Sequence, residues 1–188
     1  MLRRRFPQMR FLILEAMESF GGTWLIHKYP GARSDSDLYT FGYEFKPWQG
    51  HPIASRKQIL DYLGSVIDDA QLTPHIRYRH RIESASWSGT SQAWTLDVAT
   101  GQGDEVIAVE AGFLWMCQGY YRHSAGFTPA WPGLDKFKGR VIHPQNWPDT
   151  LDLTGKRVTV IGSGATAATL IPALVDKCAH VTMLQRTP

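Results

Sequence analysis

Residues 157–175 read Arg-Val-Thr-Val-Ile-Gly-Ser-Gly-Ala-Thr-Ala-Ala-Thr-Leu-Ile-Pro-Ala-Leu-Val. Two glycines around one variable residue stand straight after an apolar run and straight before an Ala-rich one. That order predicts a strand over Val158 to Ile161, a tight turn at Gly162-Ser163-Gly164, and a helix from Ala165 to Val175. A second apolar run, Val181-Thr182-Met183-Leu184, supplies the next strand, and Gln185 and Arg186 stand at its end. An acid there would favour a free ribose hydroxyl, whereas a guanidinium matches a 2′-phosphate in charge and fork geometry. Arg186 therefore points to NADP over NAD. The competing reading is a solvated arginine before a turn.

Upstream lies Phe137-Lys-Gly-Arg-Val-Ile-His143-Pro-Gln-Asn-Trp147-Pro148, which has the look of a linker. Before it, from Tyr78 to Met116, short alternating runs (Tyr78 to Trp87, Ala93 to Val98, Val106 to Val109) are separated by Ser88-Gly89-Thr90-Ser91 and Thr100-Gly101-Gln102-Gly103, which predicts an antiparallel meander. Phe113-Leu114-Trp115-Met116 reads as a buried strand after it. Ser55 opens a helix with Ile59, Leu60, Leu63, Val66 and Ile67 on one stripe, a core-facing face.

Earlier still come Gly21-Gly22-Thr23-Trp24, then Tyr29-Pro-Gly-Ala-Arg-Ser-Asp35-Ser-Asp37, then Tyr39, Phe41, Tyr43, Phe45 and Trp48. Glycines without periodicity indicate loop, where backbone can approach a ligand closely. The aromatic alternation fits either one face of a strand or flat walls for a planar ring system. Phe11-Leu12-Ile13-Leu14 ends in Glu15 and suits a strand buried on both faces of a parallel sheet. In dinucleotide folds an acid at such a strand end accepts from a ribose, about 20 residues after a glycine-rich turn. Only fourteen residues, none of them glycine, precede Glu15, so that first strand and turn are expected outside this sequence.

Composition narrows the function class. With 43% hydrophobic and 20% charged residues in 188, the chain is ordinary for a folded soluble protein, and a net charge of +3 gives little reason to expect a nucleic-acid partner. No apolar run approaches the roughly eighteen residues of a membrane helix, and a cytoplasmic location is expected. Cys117 and Cys178 lack CxxC spacing, so neither a metal cluster nor a redox disulfide is indicated.

Taken together, these residues resemble the flavin-containing monooxygenase superfamily and, within it, the Baeyer-Villiger monooxygenases. Phe137 to Pro148 fits the family fingerprint, phenylalanine, x, glycine, three x, histidine, three x, tryptophan, proline, at all five specified positions. The Gly-Gly-Thr-Trp and Tyr-Pro-Gly-Ala-Arg-Ser-Asp segments look like its flavin-side loops, and Gln185-Arg186-Thr187-Pro188 like its NADP phosphate clamp.

The resemblance implies an α/β fold of two Rossmann-like domains, both incomplete: residues 1–150 on the FAD side with the meander inserted, and 151–188 opening the NADP side. It implies that Glu15 binds the adenosine ribose of FAD, that Gly22, Thr23, Trp24 and Tyr39 line the flavin, and that Asp35 sits beside the isoalloxazine. Ile82 would contact adenine through its backbone. Gly162, Ser163, Gly164, Thr166 and Ala167 would hold the NADP pyrophosphate at a helix N-terminus, and Arg186 and Thr187 its 2′-phosphate. His143 invites a general-base role because histidine titrates near neutrality; the resemblance ranks coupling to domain movement first, packing second and direct catalysis last.

The implied reaction reduces FAD with NADPH and lets a peroxyflavin, formed with molecular oxygen, oxygenate a small-molecule ketone or a soft heteroatom. The family's flavin pyrophosphate loop is expected upstream of Met1 and its active-site arginine downstream of Pro188, which suggests a truncated form that alone neither holds FAD tightly nor turns over. Other readings are an N-hydroxylating flavin monooxygenase, a disulfide reductase, which the unpaired cysteines oppose, and a non-catalytic nucleotide-binding remnant. Substrate and oligomeric state are not legible.

Overall fold

The computed structural model describes residues 5–101, 103 and 105–186. In chain order its elements are β1 (Ile13–Leu14), α1 (Thr23–Ile26), α2 (Leu38–Phe41), α3 (Arg56–Asp69), β2 (Ile76–Arg77), β3 (His80–Ser88), β4 (Ala93–Thr100), β5 (Glu105–Ala111), β6 (Arg157–Ile161), α4 (Ala165–Val175) and β7 (His180–Leu184). The fold is mixed α/β. Its residues gather into two compact units, Met1–Gly22 with Leu63–Tyr120 and Thr23–Tyr62 with Tyr121–Pro188.

In the first unit the expected meander forms, with β3 and β5 flanking β4 in antiparallel register from His80↔Thr100 to Ser88↔Ala93 and from Trp94↔Ala111 to Thr100↔Glu105. A central strand has neighbours on both edges, and so the buried positions Leu96, Val98 and Ala99 all fall on β4. Trp87 and Trp94, directly opposite, pair their rings at 5.5 Å. The first meander strand starts at His80 rather than at Tyr78, because Arg79 takes φ +56, a left-handed conformation that no extended strand accommodates.

One strand expectation is met only in part in this unit and one fails. The Phe11 to Leu14 run narrows to β1, which pairs in parallel with β2 alone (Ile13↔Ile76, Leu14↔Arg77), and Leu12 and Ile13 stay 46% and 39% exposed, not buried on both faces. Phe113 to Met116 forms no strand, with Phe113 78% and Trp115 65% exposed. Apolar runs report a need for burial, and only a pairing neighbour turns that need into a buried strand.

In the second unit β6 and β7 pair in parallel from Arg157↔His180 to Ile161↔Leu184, with α4 between them in sequence. Buried Tyr29, Ala32, Leu170 and Leu174 form the core cluster, and Trp147, Leu153, Val158, Val160, Cys178 and Val181 pack against it. The Tyr-Pro-Gly-Ala loop thus docks on α4. Gly31 makes the approach possible: at φ +80, a Cβ there would lie 2.3 Å from the Thr169 carbonyl oxygen and 2.9 Å from Ala173 Cβ. The alternation Tyr39 to Phe45 is not a strand. Asp37 caps α2 by accepting from the Tyr39 amide at 2.8 Å, and the chain then closes a Tyr43–Lys46 bridge.

Candidate functional site

In the first unit Glu15 follows β1 directly. Its amide donates to the Arg77 carbonyl at 3.0 Å, its carbonyl accepts from His80, and one carboxylate oxygen accepts from the Met17 amide at 2.9 Å. A carboxylate keeps acceptor capacity beyond one such bond. Burial and the Glu15 carboxylate raise the Tyr78 hydroxyl above its ordinary value of 10.0. Beside Glu15 opens a cavity of about 110 Å³ lined by Ala16, Arg79, Arg81, Ala99, Gly101 and Gly103. Ile82 is not in that lining; it stands in the ladder opposite Val98, next to a bulge before Ser84. Gly22, at φ +48, closes this unit's N-terminal segment.

In the second unit Thr23 and Trp24 open α1, where the His27 amide donates to the Thr23 carbonyl at 2.9 Å. Buried Ser34 holds the following turn: its hydroxyl donates to the Ser36 carbonyl at 2.6 Å and accepts from the Ser36 amide at 3.1 Å. Asp35 is thereby exposed, its carboxylate accepting from the Ser36 hydroxyl at 3.4 Å. Tyr39 is exposed and donates through its hydroxyl to the Gly50 carbonyl at 2.8 Å. Tyr43 stacks on Phe45 at 5.0 Å and on Tyr62 at 5.9 Å, so these aromatics form a stack of rings within the unit.

The linker residues are built in rather than free. His143 precedes a 3-10 turn over Pro144–Asn146, and its Nδ1 accepts from the Gln145 amide at 3.2 Å. Nδ1 therefore presents a lone pair to that amide. Any Cβ on Gly126 would fall 2.1 Å from the His143 ring, so the loop backbone lies flat against the imidazole. Gln145 Nε2 donates to the carbonyls of Arg122 at 2.9 Å and His123 at 3.0 Å, and Lys28 Nζ meets Asp149 Oδ2 at 2.8 Å. His27 lies near this turn; burial first, then His123 and His143, lower it below its ordinary 6.5. Sequence reasoning missed Gln145, Lys28 and Gly126, whose partners lie far away in the chain and leave no periodic trace.

The glycine turn leaves open space and uncapped amides at the start of α4. Gly162, at φ +117, donates its amide to the Leu184 carbonyl at 2.8 Å, tying the turn to β7. Gly164 is the N-cap of α4 and supplies no side-chain acceptor, leaving the first amides of the helix to other partners. A Cβ on Gly162 or Gly164 would meet nothing within 4 Å, so that space is open to a ligand. Thr166 is half-buried and Ala167 is 6% exposed, the latter small enough for the helix to lie close to its neighbours. Arg186 is exposed just beyond β7, whereas Thr187 lies outside the described residues. No group of three metal-ligating side chains occurs among the described residues, and none of their helices is long and apolar enough to cross a membrane.

Comparison with known proteins adds an independent finding. The profile of the family described as FMO-like, flavin-binding monooxygenase-like, matches residues 45–187. A relative in Mycolicibacterium smegmatis, the FAD-containing monooxygenase EthA, is 47% identical over 190 residues, spanning 100% of this chain and 38% of its own. Among solved structures, the oxidized steroid monooxygenase bound to NADP is 34% identical with a TM-score of 0.82 over 98% of this chain and 36% of that one. The OTEMO complex with FAD and NADP is 31% identical with a TM-score of 0.79 and covers the same shares. The chain thus spans well under half the length of the proteins it matches.

Proposed function

Because the chain belongs to the flavin-binding monooxygenase-like family, we propose that it is an FAD- and NADPH-dependent monooxygenase sequence acting on a small molecule, a ketone in the Baeyer-Villiger manner or a soft heteroatom. Residues 1–150 form the FAD side and 151–188 open the NADP side. The observation that carries the reading is the open glycine turn at the start of α4, joined in one unit to the linker whose Trp147 packs on the same core as that helix.

Each residue then has an assigned task. The amides after Gly162, Ser163 and Gly164 and through Thr166 and Ala167 take the NADP pyrophosphate, favoured by the helix dipole. Arg186, with Thr187, takes the 2′-phosphate as a bidentate donor. Glu15 accepts from the adenosine ribose of FAD, Ile82 lends backbone to its adenine, Gly22, Thr23, Trp24 and Tyr39 line its flavin, and Asp35 presents a carboxylate to the ring's edge. Bound flavin supplies hydride acceptance and the activation of molecular oxygen. His143 holds the linker turn and orients it, since Nδ1 already accepts from the Gln145 amide; proton transfer is the lesser role.

The test is direct. The purified chain is incubated with FAD, desalted and examined for flavin absorbance, then for bleaching on addition of NADPH without oxygen. Retained flavin that NADPH bleaches supports the reading and sinks a non-catalytic remnant. Colourless protein that also fails to bind NADP+ overturns it.

A further inference from the structure

The meander sheet has two edges, and they are built differently. Along the β3 edge the ladder slips between Ile82 and Ser84, and Arg81 is paired with Glu83 at 2.6 Å. A bulge and charged side chains are devices that keep an edge strand from taking on another strand. The β5 edge carries neither bulge nor cation. Glu105–Ala111 reads Glu-Val-Ile-Ala-Val-Glu-Ala, without lysine, arginine, proline or glycine, and its ladder with β4 runs unshifted from Trp94↔Ala111 to Thr100↔Glu105. Its only strand neighbour among the described residues is β4, and Val106 is 60% exposed. In an antiparallel ladder alternate residues of an edge strand turn their peptide groups away from the partner, so this edge presents a row of donors and acceptors.

We propose that the β5 edge is an interface at which two copies of this chain pair antiparallel about a two-fold axis through Ala108, joining their three-stranded sheets into one. What commits the edge to a second copy is its self-complementarity. A two-fold axis perpendicular to a sheet keeps each side chain on its own face, so only residues that share a face meet. Of the registers that satisfy this, the one centred on Ala108 overlaps all seven residues of the strand. It sets Ile107 against Val109, Val106 against Glu110, Glu105 against Ala111, and Ala108 against itself. Ile107 and Val109 already stand opposite buried Val98 and Leu96 on β4, so the apolar face runs on across the junction. Neither Glu105 nor Glu110 meets a carboxylate, and the residue on the axis is small and exposed. An interface built on one strand pair is small, which makes the dimer weak and concentration-dependent.

Analytical ultracentrifugation of the whole chain over a concentration series, with hydrogen exchange on the same samples, tests this. The native chain's mean mass should climb with concentration toward twice the monomer's and stop there, while exchange of the amides within 105–111 slows. Ala108→Lys and Ala108→Glu each place two like charges on the axis at an exposed position. Each variant should stay at monomer mass with an unchanged far-ultraviolet spectrum. An equimolar mixture of the two sets lysine against glutamate and should recover the mass increase, a result that lost folding in either variant does not produce. A native chain that stays monomeric overturns the proposal, as does a mass that grows past the dimer, which is open association through other surfaces. A dimer that leaves exchange in 105–111 unchanged, or that survives in both charged variants, puts the interface elsewhere and overturns it too. Failure of the mixture to dimerise overturns the register centred on Ala108.

Discussion

At the scale of single residues, the tightest constraint is Gly31. Its left-handed φ of +80 and the 2.3 Å that would separate a Cβ from the Thr169 carbonyl oxygen combine strain with overlap on rigid helix backbone. Gly31→Ala is expected to destabilise the chain by about 2–4 kcal/mol, read as a lowered midpoint in urea denaturation at unchanged slope. His27 gives a pH dependence of definite sign. Its folded value is lowered from 6.5 by burial, then by His123 and His143, so below 6.5 the unfolded chain binds the proton first. The stability His27 contributes is present above 6.5 and is lost as pH falls through the lowered folded value. Thermal midpoints followed from pH 7.5 downward should drop below about pH 6.5, and His27→Gln should flatten that drop. An equal slope in the variant would move the cause to other groups. Neither constraint was legible beforehand: a Tyr-Pro-Gly-Ala loop reads as loop, and only the fold reveals that α4 lies under it.

At the scale of elements, local chemistry sufficed where the chain's own neighbours complete the structure. The meander turns, the α3 stripe and the β6-turn-α4-β7 run all formed with their boundaries within a few residues of expectation. Of the two runs whose fate depended on a partner strand, 11–14 kept only the short parallel strand β1 and 113–116 formed none. For Tyr39 to Phe45 the strand alternative is excluded for a different reason, because the Asp37 cap offered the backbone a helical turn that side-chain alternation alone does not reveal. The glycine turn yields the prediction proper to this scale. Gly164→Asp puts a carboxylate where the first amides of α4 await an anion, and there is open space to receive it. The fold should survive, since aspartate is a good N-cap and the φ of −74 suits any residue. NADP+ affinity should fall at least tenfold through like-charge repulsion and competition for the amides. Isothermal titration beside a far-ultraviolet spectrum checks both halves. Intact affinity would show that the pyrophosphate does not sit there.

At the scale of the whole molecule, sequence order and spatial grouping part company. The Gly-Gly-Thr-Trp stretch is divided between the two units after Gly22, and α3 passes from Arg56 in one to Asp69 in the other. The linker fingerprint has the plainest gain from structure. Its tryptophan packs against the core cluster, its histidine caps a turn beneath Gly126, and its glutamine, no part of the fingerprint, donates to two carbonyls more than twenty residues away. A motif that identified the family thus works as a brace between a loop and the helix that follows the glycine turn.

By itself the sequence determined the elements built from near neighbours and the family, since a turn, a cap or a fingerprint is a property of a dozen consecutive residues. Tertiary structure alone decided which apolar runs became strands, why Gly31 and Gly126 carry no side chain, that His143 already spends a ring nitrogen on its own turn, and that Arg79 sits at a left-handed position beside the Glu15 cavity. The physical reason is the same in each case: the deciding contact joins residues far apart in the chain, and such contacts exist only after folding has brought them together.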